Sequence, residues 1–425
     1  MLYGQQFTSK LAYSLCLLSF GWVFVCQRGI CRGNFDTVQF KYSKNDIVLT
    51  KHDDGFLIDD TGTKYAFNKK IIIQSLLSVG EVSAIHDHIN KVQVIANIGN
   101  TSVYWITPTT EQYFNVYSTL RKHQGILAIE PDIAPVRKLL FSSKKQLQID
   151  NSVTELQKLS LCENPVSRVR VAIIDDGFDF THPEFDQLKV LLEYDAEQKV
   201  MTAKATGPID EHGTLVAGVI AAKRDNKGIE GLAPTSEIIA IRQVSTWTSS
   251  LILAFQVAKL MKADVVNCSW VLPFLSHITS EVIEDLASAP NDPIIVVSAG
   301  NNGKKACEMN QLSKLEKLVV VGSVNKAGEI TEFSNYGQCV DYYAPSSIQS
   351  TSSGGYADFG GTSSSAAIVS GIIAQLKVCG IAQPLSQLHL FENVKSAHTL
   401  RKGSTKRIKE NVILSTAKPS GNHEF

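Results

Sequence analysis

The chain has 425 residues, with 41 basic and 41 acidic side chains, so it carries no net charge when histidine is neutral. This balance gives no reason to expect binding to nucleic acid or to an anionic membrane. The length is sufficient for two or three domains, each with a core of its own.

The first thirty residues have the pattern of an export signal. A single cation, Lys10, precedes the apolar run LAYSLCLLSFGWVFVC (11–26), which has the length of a signal-peptide core. A membrane span needs about 20 apolar residues, so cleavage is favoured over an anchor, although an uncleaved anchor stays open. We therefore expect a signal peptide over 1–31 and a protein that is secreted, periplasmic or at the cell surface, with no stable membrane insertion after cleavage.

Export would place the remaining cysteines in an oxidising compartment, where disulfides form. The mature chain would keep Cys31, Cys162, Cys268, Cys307, Cys339 and Cys379. No Cys-x-x-Cys pair occurs, so the sequence gives no support for a zinc site or a thioredoxin-like motif.

Residues 46–137 have the pattern of a small α+β unit. A hairpin is predicted over 46–67, two further strands over 91–98 and 102–107, and a helix over 110–125. The segment ILAIEPDI (126–133) reads as a last strand that is broken at Pro131. The polar stretch SSKKQLQIDNS then indicates a linker. We place the domain boundary at residue 145, after an amino-terminal domain of residues 32–145.

From Val166 onward, short apolar strands alternate with helical segments. Runs such as VAII, EIIAI, DVVNC and PIIVV are too apolar for a strand that is buried on one face only. This pattern predicts a doubly wound parallel sheet with helices on both faces, in the α/β class, over 146–425. A site in such a sheet lies at the carboxyl ends of the strands.

Three polar stretches fall at the expected ends of strands or helices. Asp175 closes the buried strand in VAIIDDG, His212 opens the helix in HGTLVAGVIAA, and Ser363 begins the helix in GGTSSSAAIVSG. Singly, each has an ordinary explanation: a turn aspartate, a histidine at a helix start, and a helix N-cap. Together they have a chemical logic, because imidazole can deprotonate serine and a carboxylate can orient the imidazole.

The order Asp, His, Ser with these flanking residues resembles the subtilisin-like serine proteases, or subtilases, over about residues 166–400. Within that family, the sequence most resembles the secreted proteinase K-like and aqualysin-like enzymes. The resemblance implies that Asp175, His212 and Ser363 form the catalytic triad, since Ser363 directly follows Gly361-Thr362. In VVSAGNNG, it implies that Asn301 is the oxyanion-hole residue. We expect Asp176 to point to the opposite side from Asp175 and to matter less for peptidase activity.

Several positions depart from the family pattern. In NCSWVLP (267–273), Ser269 and Trp270 are implied to bind substrate through their backbone as an added strand. Val271 stands where the family has glycine and would intrude on the specificity pocket. Altered, narrower specificity follows as a hypothesis.

The resemblance also implies a role for the amino-terminal unit. Its helix and closing strand are similar to the end of a subtilase propeptide, which assists folding and then blocks the cleft. We therefore expect a zymogen that cuts itself after about Arg137; a separate binding domain remains the alternative.

Two structural features are carried over from the family. In KRDNKGIEG (223–231), Asp225 matches a side-chain ligand of the subtilase calcium loop, Glu184 matches the remote carboxylate, and the carbonyls of Lys223, Lys227 and Ile229 match the rest. A solvated turn is the alternative, because three cations surround this loop. Some related enzymes carry a disulfide where Cys307 and Cys339 stand, whereas Cys268 is expected to stay unpaired.

The sequence therefore predicts a secreted serine endopeptidase that acts on peptide or protein substrates and binds its own propeptide. It should need no cofactor for its chemistry, with calcium as a structural ion, and should be a monomer. The alternative is an inactive subtilase fold that serves as a binding or scaffold protein. A lipase or esterase is disfavoured, because no Gly-x-Ser-x-Gly motif occurs.

Overall fold

The structure is a computed structural model that describes residues 26–27, 30–31, 37–42, 45–52, 54–60, 62–136, 166–207 and 210–388. The predicted signal-peptide core, the polar linker and Cys162 lie outside these residues. The strands are β1 (Cys26–Gln27), β2 (Ile30–Cys31), β3 (Thr37–Tyr42), β4 (Asn45–Lys51), β5 (Leu57–Ile58), β6 (Lys64–Ser75), β7 (Ile89–Ile98), β8 (Thr101–Pro108), β9 (Ile126–Pro135), β10 (Arg170–Asp175), β11 (Lys189–Asp195), β12 (Glu237–Arg242), β13 (Val265–Cys268), β14 (Ile294–Ser298), β15 (Leu318–Val324), β16 (Tyr342–Pro345), β17 (Ser347–Ser352) and β18 (Gly355–Gly360).

The helices follow the same order along the chain. They are α1 (Val79–Ala84), α2 (Tyr113–Lys122), α3 (His212–Ala221), α4 (Thr248–Leu260), α5 (His277–Ala287), α6 (Ala306–Met309) and α7 (Gly361–Val378). Within the described residues, none of them combines the length and the apolar character that a membrane crossing requires.

The amino-terminal unit is an antiparallel sheet in the order β3-β4-β5-β6-β8-β7, with β9 paired to β6. The predicted hairpin, strands and helix are all present. One prediction is wrong: β9 runs through Pro131 without a break. Pro131 lies opposite Ile71, next to an irregularity in β6, between Phe67 and Ile71. Such an irregularity accommodates a proline, which has no N–H to give to the ladder.

The second unit is built on a parallel sheet in the order β11-β12-β10-β13-β14-β15-β16. The strands predicted from apolar runs are β10, β12, β13 and β14, together with β15, whose run KLVVVGS (317–323) has the same character. The edge strands β11 and β16 and the β17–β18 hairpin were not predicted. β11 is only half-buried and carries a register shift between Val190 and Leu192, which weakens the continuous apolar signal of a central strand.

Both faces of the parallel sheet are covered by helices. In β10, Val171 and Ile173 pack on one side in the core that holds the buried residues of α3 and α7. Ala172 and Ile174 pack on the other side, with the buried residues of α4 and α5. This alternation along a strand that is buried on both faces is what a doubly wound sheet requires, and it confirms the predicted fold class.

The amino-terminal sheet lies on the outer side of α4 and α5. Ile72 of β6 belongs to the same buried cluster as those helices. Its neighbours Ile71 and Ile73 point the other way, into the separate core beneath α2. One face of the amino-terminal sheet is therefore buried against the second unit.

Candidate active site

Asp175 and His212 are joined by a direct hydrogen bond. Asp175 is the last residue of β10 and is 3% exposed, and His212 is the first residue of α3. The Nδ1–H of His212 donates to Asp175 Oδ1 at 2.8 Å, because a carboxylate can only accept. Burial opposes a positive charge on His212, but the neighbouring Asp175 carboxylate outweighs it and raises the pKa of His212 to about 9.

Ser363 lies in the first turn of α7, which packs against α3. Its hydroxyl donates to the carbonyl of Ser269 at 2.8 Å, and the hydroxyl of Ser269 donates back to the carbonyl of Ser363 at 2.9 Å. Phe359, four residues before Ser363, places its ring 5.4 Å from the His212 ring, nearly at a right angle. The end of β13, the start of α3 and the start of α7 thus meet at the carboxyl edge of the sheet.

Asn301 follows β14 at the same edge and is held by Thr362. The backbone N–H and the hydroxyl of Thr362 both donate to Asn301 Oδ1, each at 2.9 Å. These two hydrogen bonds occupy the amide oxygen of Asn301. The amide NH₂ group is therefore the part of the side chain that can donate a hydrogen bond to a ligand. Thr362 was not singled out in the sequence, since a threonine before a serine carries no signal for this contact.

Two glycines permit this arrangement. Gly300 has φ +103° and Gly361 has φ +76°, in the left-handed region that favours glycine. A Cβ on Gly361 would lie 2.9 Å from Asn301 Nδ2.

The segment Ser269, Trp270 and Val271 continues from β13 along this edge. The indole N–H of Trp270 donates to the carbonyl of Ile174 at 2.7 Å, which ties the segment to β10. The Cγ1 of Val271 lies 2.9 Å from where a Cβ on Gly300 would stand. Val271 therefore packs directly over the glycine that precedes Asn301.

Asp176 does not point away from His212, so the predicted direction of its side chain is wrong, whereas its smaller importance stays a prediction. Its Oδ1 accepts the backbone N–H of Gly213 at 3.1 Å, at the start of α3. The chain leaves the strand geometry after Asp175, so the alternation of a strand no longer applies to the next residue.

Cys307 and Cys339 form a disulfide in the structure, with Cα atoms 5.5 Å apart. Cys379 is also disulfide-bonded. Cys268 is a free, buried cysteine, in line with the prediction.

The predicted calcium ligands lie around one buried carboxylate. Glu184 is 2% exposed, and its Oε1 accepts the hydroxyl of Tyr356 and the N–H of Ile229. Its Oε2 is buried and has no hydrogen-bond partner within the described part of the chain. Asp225 lies 3.3 Å from the Lys223 ammonium. Among the described residues, no group of three or more His, Cys, Asp or Glu side chains could hold a metal.

Two acids of β9 contact the second unit, and sequence analysis missed both. Asp132 Oδ1 accepts the N–H of Ser249 at 3.0 Å, in the first turn of α4. Glu130 accepts the hydroxyl of Ser276 at 2.6 Å, at the N-cap of α5. Residues two apart on a strand share a face, so one strand supplies carboxylates to two helix N-termini.

A lysine of the second unit contacts the same region. The ammonium of Lys199 lies 3.1 Å from the ring centroid of Trp105, as in a cation–π contact. The Trp105 indole N–H donates to Asp132 Oδ2 at 2.8 Å. Burial lowers the pKa of Lys199 to about 8.

A parallel sheet of this topology, with an Asp–His pair and a helix-borne serine at its carboxyl edge, defines a subtilisin-like protein. The family model of the subtilase family matches residues 167–397. The chain belongs to this family.

Named relatives match about half of the chain. The thermophilic serine proteinase of Bacillus sp. (strain AK1) is 36% identical over 220 residues, which covers 48% of this chain and 51% of that protein. Subtilisin of Bacillus pumilus is 32% identical over 219 residues, which covers 49% of this chain and 76% of that protein. The match thus spans about half the length of the thermophilic proteinase.

Two solved structures show the same fold. Fervidolysin from Fervidobacterium pennivorans, a keratinolytic enzyme related to subtilisin, gives a TM-score of 0.61 at 22% identity and covers 76% of this chain and 57% of that one. The epidermin leader peptide processing serine protease of Staphylococcus aureus gives 0.60 at 16% identity and covers 81% of this chain and 97% of that one.

Proposed function

We propose that the chain is a serine endopeptidase whose catalytic triad is Asp175, His212 and Ser363. The observation that carries this proposal is the 2.8 Å hydrogen bond between Asp175 Oδ1 and His212 Nδ1. With Nδ1 bound in this way, Nε2 is the ring nitrogen that can take the proton of Ser363. Ser363 Oγ then attacks the peptide carbonyl, and His212 returns the proton to the leaving amine.

Asn301 is the oxyanion-hole residue in this proposal. Thr362 donates two hydrogen bonds to the amide oxygen of Asn301. The NH₂ group of Asn301 can then donate to the negative oxygen of the tetrahedral intermediate. One such donor lowers the barrier by about 3 kcal/mol. The orientation is fixed before substrate binds, so little reorganisation is needed during the reaction.

The Ser363 hydroxyl has a resting partner that substrate would replace. In the structure it donates to the Ser269 carbonyl. We propose that a peptide lies along Ser269 and Trp270 as an added strand, with its N–H groups donating to their carbonyls. Ser363 would then be released from Ser269 and turn toward His212.

Val271 is proposed to narrow the cleft beside the nucleophile. It packs against Gly300, next to Asn301, and the resemblance to the family implies a glycine at the position of Val271. We therefore propose that the side chain before the cut bond must be small, and that large aromatic residues are poor substrates there.

The amino-terminal unit is proposed to be a propeptide that assists folding and then inhibits. Support comes from Glu130 and Asp132, which provide hydrogen-bond acceptors for the N-termini of α5 and α4. A signal-like segment over 1–31 and the Cys307–Cys339 disulfide support export to an oxidising compartment. The protein would be a self-processing monomeric zymogen, secreted or at the cell surface.

A structural calcium ion is proposed near Glu184. The buried Oε2 of Glu184 lacks a partner within the described residues, and a hard cation would satisfy it. Asp225 and the carbonyls of Lys223, Lys227 and Ile229 would complete the oxygen ligands. The ion would stabilise the loop, and the residues named above perform the chemistry.

A fluorophosphonate probe tests the catalytic proposal, because it labels only an activated serine. The mature wild-type chain, freed of its amino-terminal unit, should be labelled, whereas the Ser363→Ala and His212→Ala variants prepared in the same form should not. The matched control is Ser364→Ala, whose hydroxyl donates to the Gly361 carbonyl within its own helix and which should label normally. An unlabelled mature wild-type chain would instead favour an inactive subtilase scaffold.

A further inference from the structure

Two consecutive carboxylates at the end of β10 contact the start of one helix. Asp175 Oδ1 accepts the His212 ring N–H at 2.8 Å, and Asp176 Oδ1 accepts the Gly213 N–H at 3.1 Å. The two acids are also linked to each other, because the Asp176 N–H donates to Asp175 Oδ1 at 2.9 Å. Asp175 therefore holds the His212 ring, and Asp176 holds the backbone of the residue after it.

Helix α3 has no cap of its own. The N-cap residue Glu211 makes no side-chain capping bond. Its carbonyl accepts the N–H groups of Thr214 and Leu215, but the Gly213 N–H needs a partner from elsewhere. Asp176 supplies that partner from a distant part of the chain, and its negative charge lies at the positive end of the helix.

The helix start is packed closely on the turn that carries these acids. A Cβ on Gly213 would lie 2.5 Å from the Gly177 carbonyl oxygen and 3.1 Å from the Asp175 Cβ. Contacts between this turn and Gly213 therefore help to position His212 relative to Asp175, and the hydrogen bond to Asp176 is a polar contact among them.

The charges around this turn are mostly acidic. Asp176 is faced by Asp175, by Asp210 in the segment before α3, and by His212. Burial and the Asp175 charge raise the pKa of Asp176 to about 7, and His212 acts against them. When Asp176 is ionised, its charge adds to that of Asp175 in raising the pKa of His212.

We propose that Asp176 is a second positioning carboxylate for His212: it caps the helix that presents the imidazole and stabilises the imidazolium. The role rests on the proposed peptidase function, since an imidazolium forms when His212 takes the Ser363 proton. Asp176 acts through His212 and the Gly213 N–H rather than on the substrate.

The test measures His212 directly and does not need an active enzyme. Full-length chain with Ser363→Ala is labelled with ¹³C-histidine, and the His212 ring signal, assigned with His212→Ala, is titrated by NMR. Asp176→Asn keeps an acceptor oxygen but loses the charge, whereas Asp176→Ala loses both. The control Asp292→Asn removes an exposed charge just before β14, at the opposite edge of the sheet.

Asp176→Asn should lower the pKa of His212 by about one unit, as expected for loss of a nearby opposite charge, and Asp292→Asn should leave it unchanged. A His212 titration in Asp176→Asn that superimposes on the parent would overturn the charge role.

The positioning role has its own readout in the Ser363-containing chain. The fluorophosphonate labelling rate on its high-pH plateau should fall by less than about 10-fold for Asp176→Asn, which loses only the charge that stabilises the imidazolium. It should fall by a further factor of about 10 for Asp176→Ala, because catalytic groups lose rate steeply when displaced. If the two variants reached the same labelling rate at high pH, and thermal melting showed both to be folded, the positioning role would be overturned. Failure of wild-type labelling alongside a shifted titration would instead count against the peptidase function alone.

Discussion

Replacement of Asp132 by alanine should release the amino-terminal unit from the second unit. The carboxylate is fully buried and accepts four hydrogen bonds, two of which, from the N–H and the hydroxyl of Ser249, cross between the units. The other two come from Asn68 and Trp105 of its own unit. The substitution therefore leaves the start of α4 without this acceptor and removes a negative charge that acts on Lys199.

The magnitude follows from the two bonds that cross the interface. A hydrogen bond to a charged group contributes about 1.5–3 kcal/mol, so two of them give about 3–6 kcal/mol. At 1.4 kcal/mol for each factor of ten, the dissociation constant between the units should rise by roughly 10²–10⁴. Asp132→Asn keeps one acceptor oxygen and should have a smaller effect.

The measurement uses the full chain with Ser363→Ala, so that it does not cut itself. A specific protease site is placed between residues 137 and 165 and is cut after folding, and separation of the two pieces is followed by surface plasmon resonance. Asp54→Ala is the control. Asp54 is an exposed acid of the same unit, and its carboxylate accepts a hydrogen bond from the Lys64 ammonium within that unit. A dissociation constant for Asp132→Ala within about threefold of the parent would show that helix capping does not hold the units together.

Four further predictions concern the second unit. The fluorophosphonate labelling rate should rise with pH to a midpoint near 9, because only neutral His212 can accept a proton and its pKa is raised to about 9; a midpoint near 6.5 would refute this. Calcium at about 100 times its dissociation constant stabilises by about 2.7 kcal/mol, so chelation should lower Tm by several degrees in the parent and not in Glu184→Gln. Val271→Gly should raise kcat/KM for peptides with a large aromatic residue before the cut by at least about 10-fold, as measured on a peptide library; an unchanged profile would remove Val271 from the specificity pocket. Cys307→Ser should lower the free energy of unfolding by about 3.7 kcal/mol in denaturant titrations, because the bridge closes a loop of about 33 residues, and reducing agent should then have no further effect through this pair.

The parts of the fold with strong local patterns were predictable from the sequence. Apolar strands between helical segments identified the parallel sheet, and the flanks of Asp175, His212 and Ser363 placed them at its carboxyl edge. The half-buried strand β11 escaped detection, because its exposed side weakens the apolar run. The predicted break at Pro131 is wrong, because the irregularity in β6 that accommodates this proline lies some sixty residues earlier in the chain. Nothing in the sequence around Pro131 indicates it.

The contacts that orient the site were not predictable in the same way. Asp176 meets Gly213 across 37 residues, and Asp132 meets Ser249 across 117. An aspartate beside another aspartate, or one in a strand, has no local pattern that names such a partner. These roles depend on where the fold brings separate turns and helix starts together, and only three-dimensional coordinates supply that information.

The contact between Lys199 and Trp105 gives the protein an optical signal of its own state. The ammonium belongs to the second unit, whereas the indole belongs to the amino-terminal unit and is bound to Asp132 through its N–H. Indole emission responds to nearby charge and to water. When the two units separate, Trp105 loses a cation from its face and gains solvent, so its fluorescence must change at that moment. Separation of the two units in the unlabelled protein can therefore be followed in real time in a cuvette, without a substrate and without any added dye.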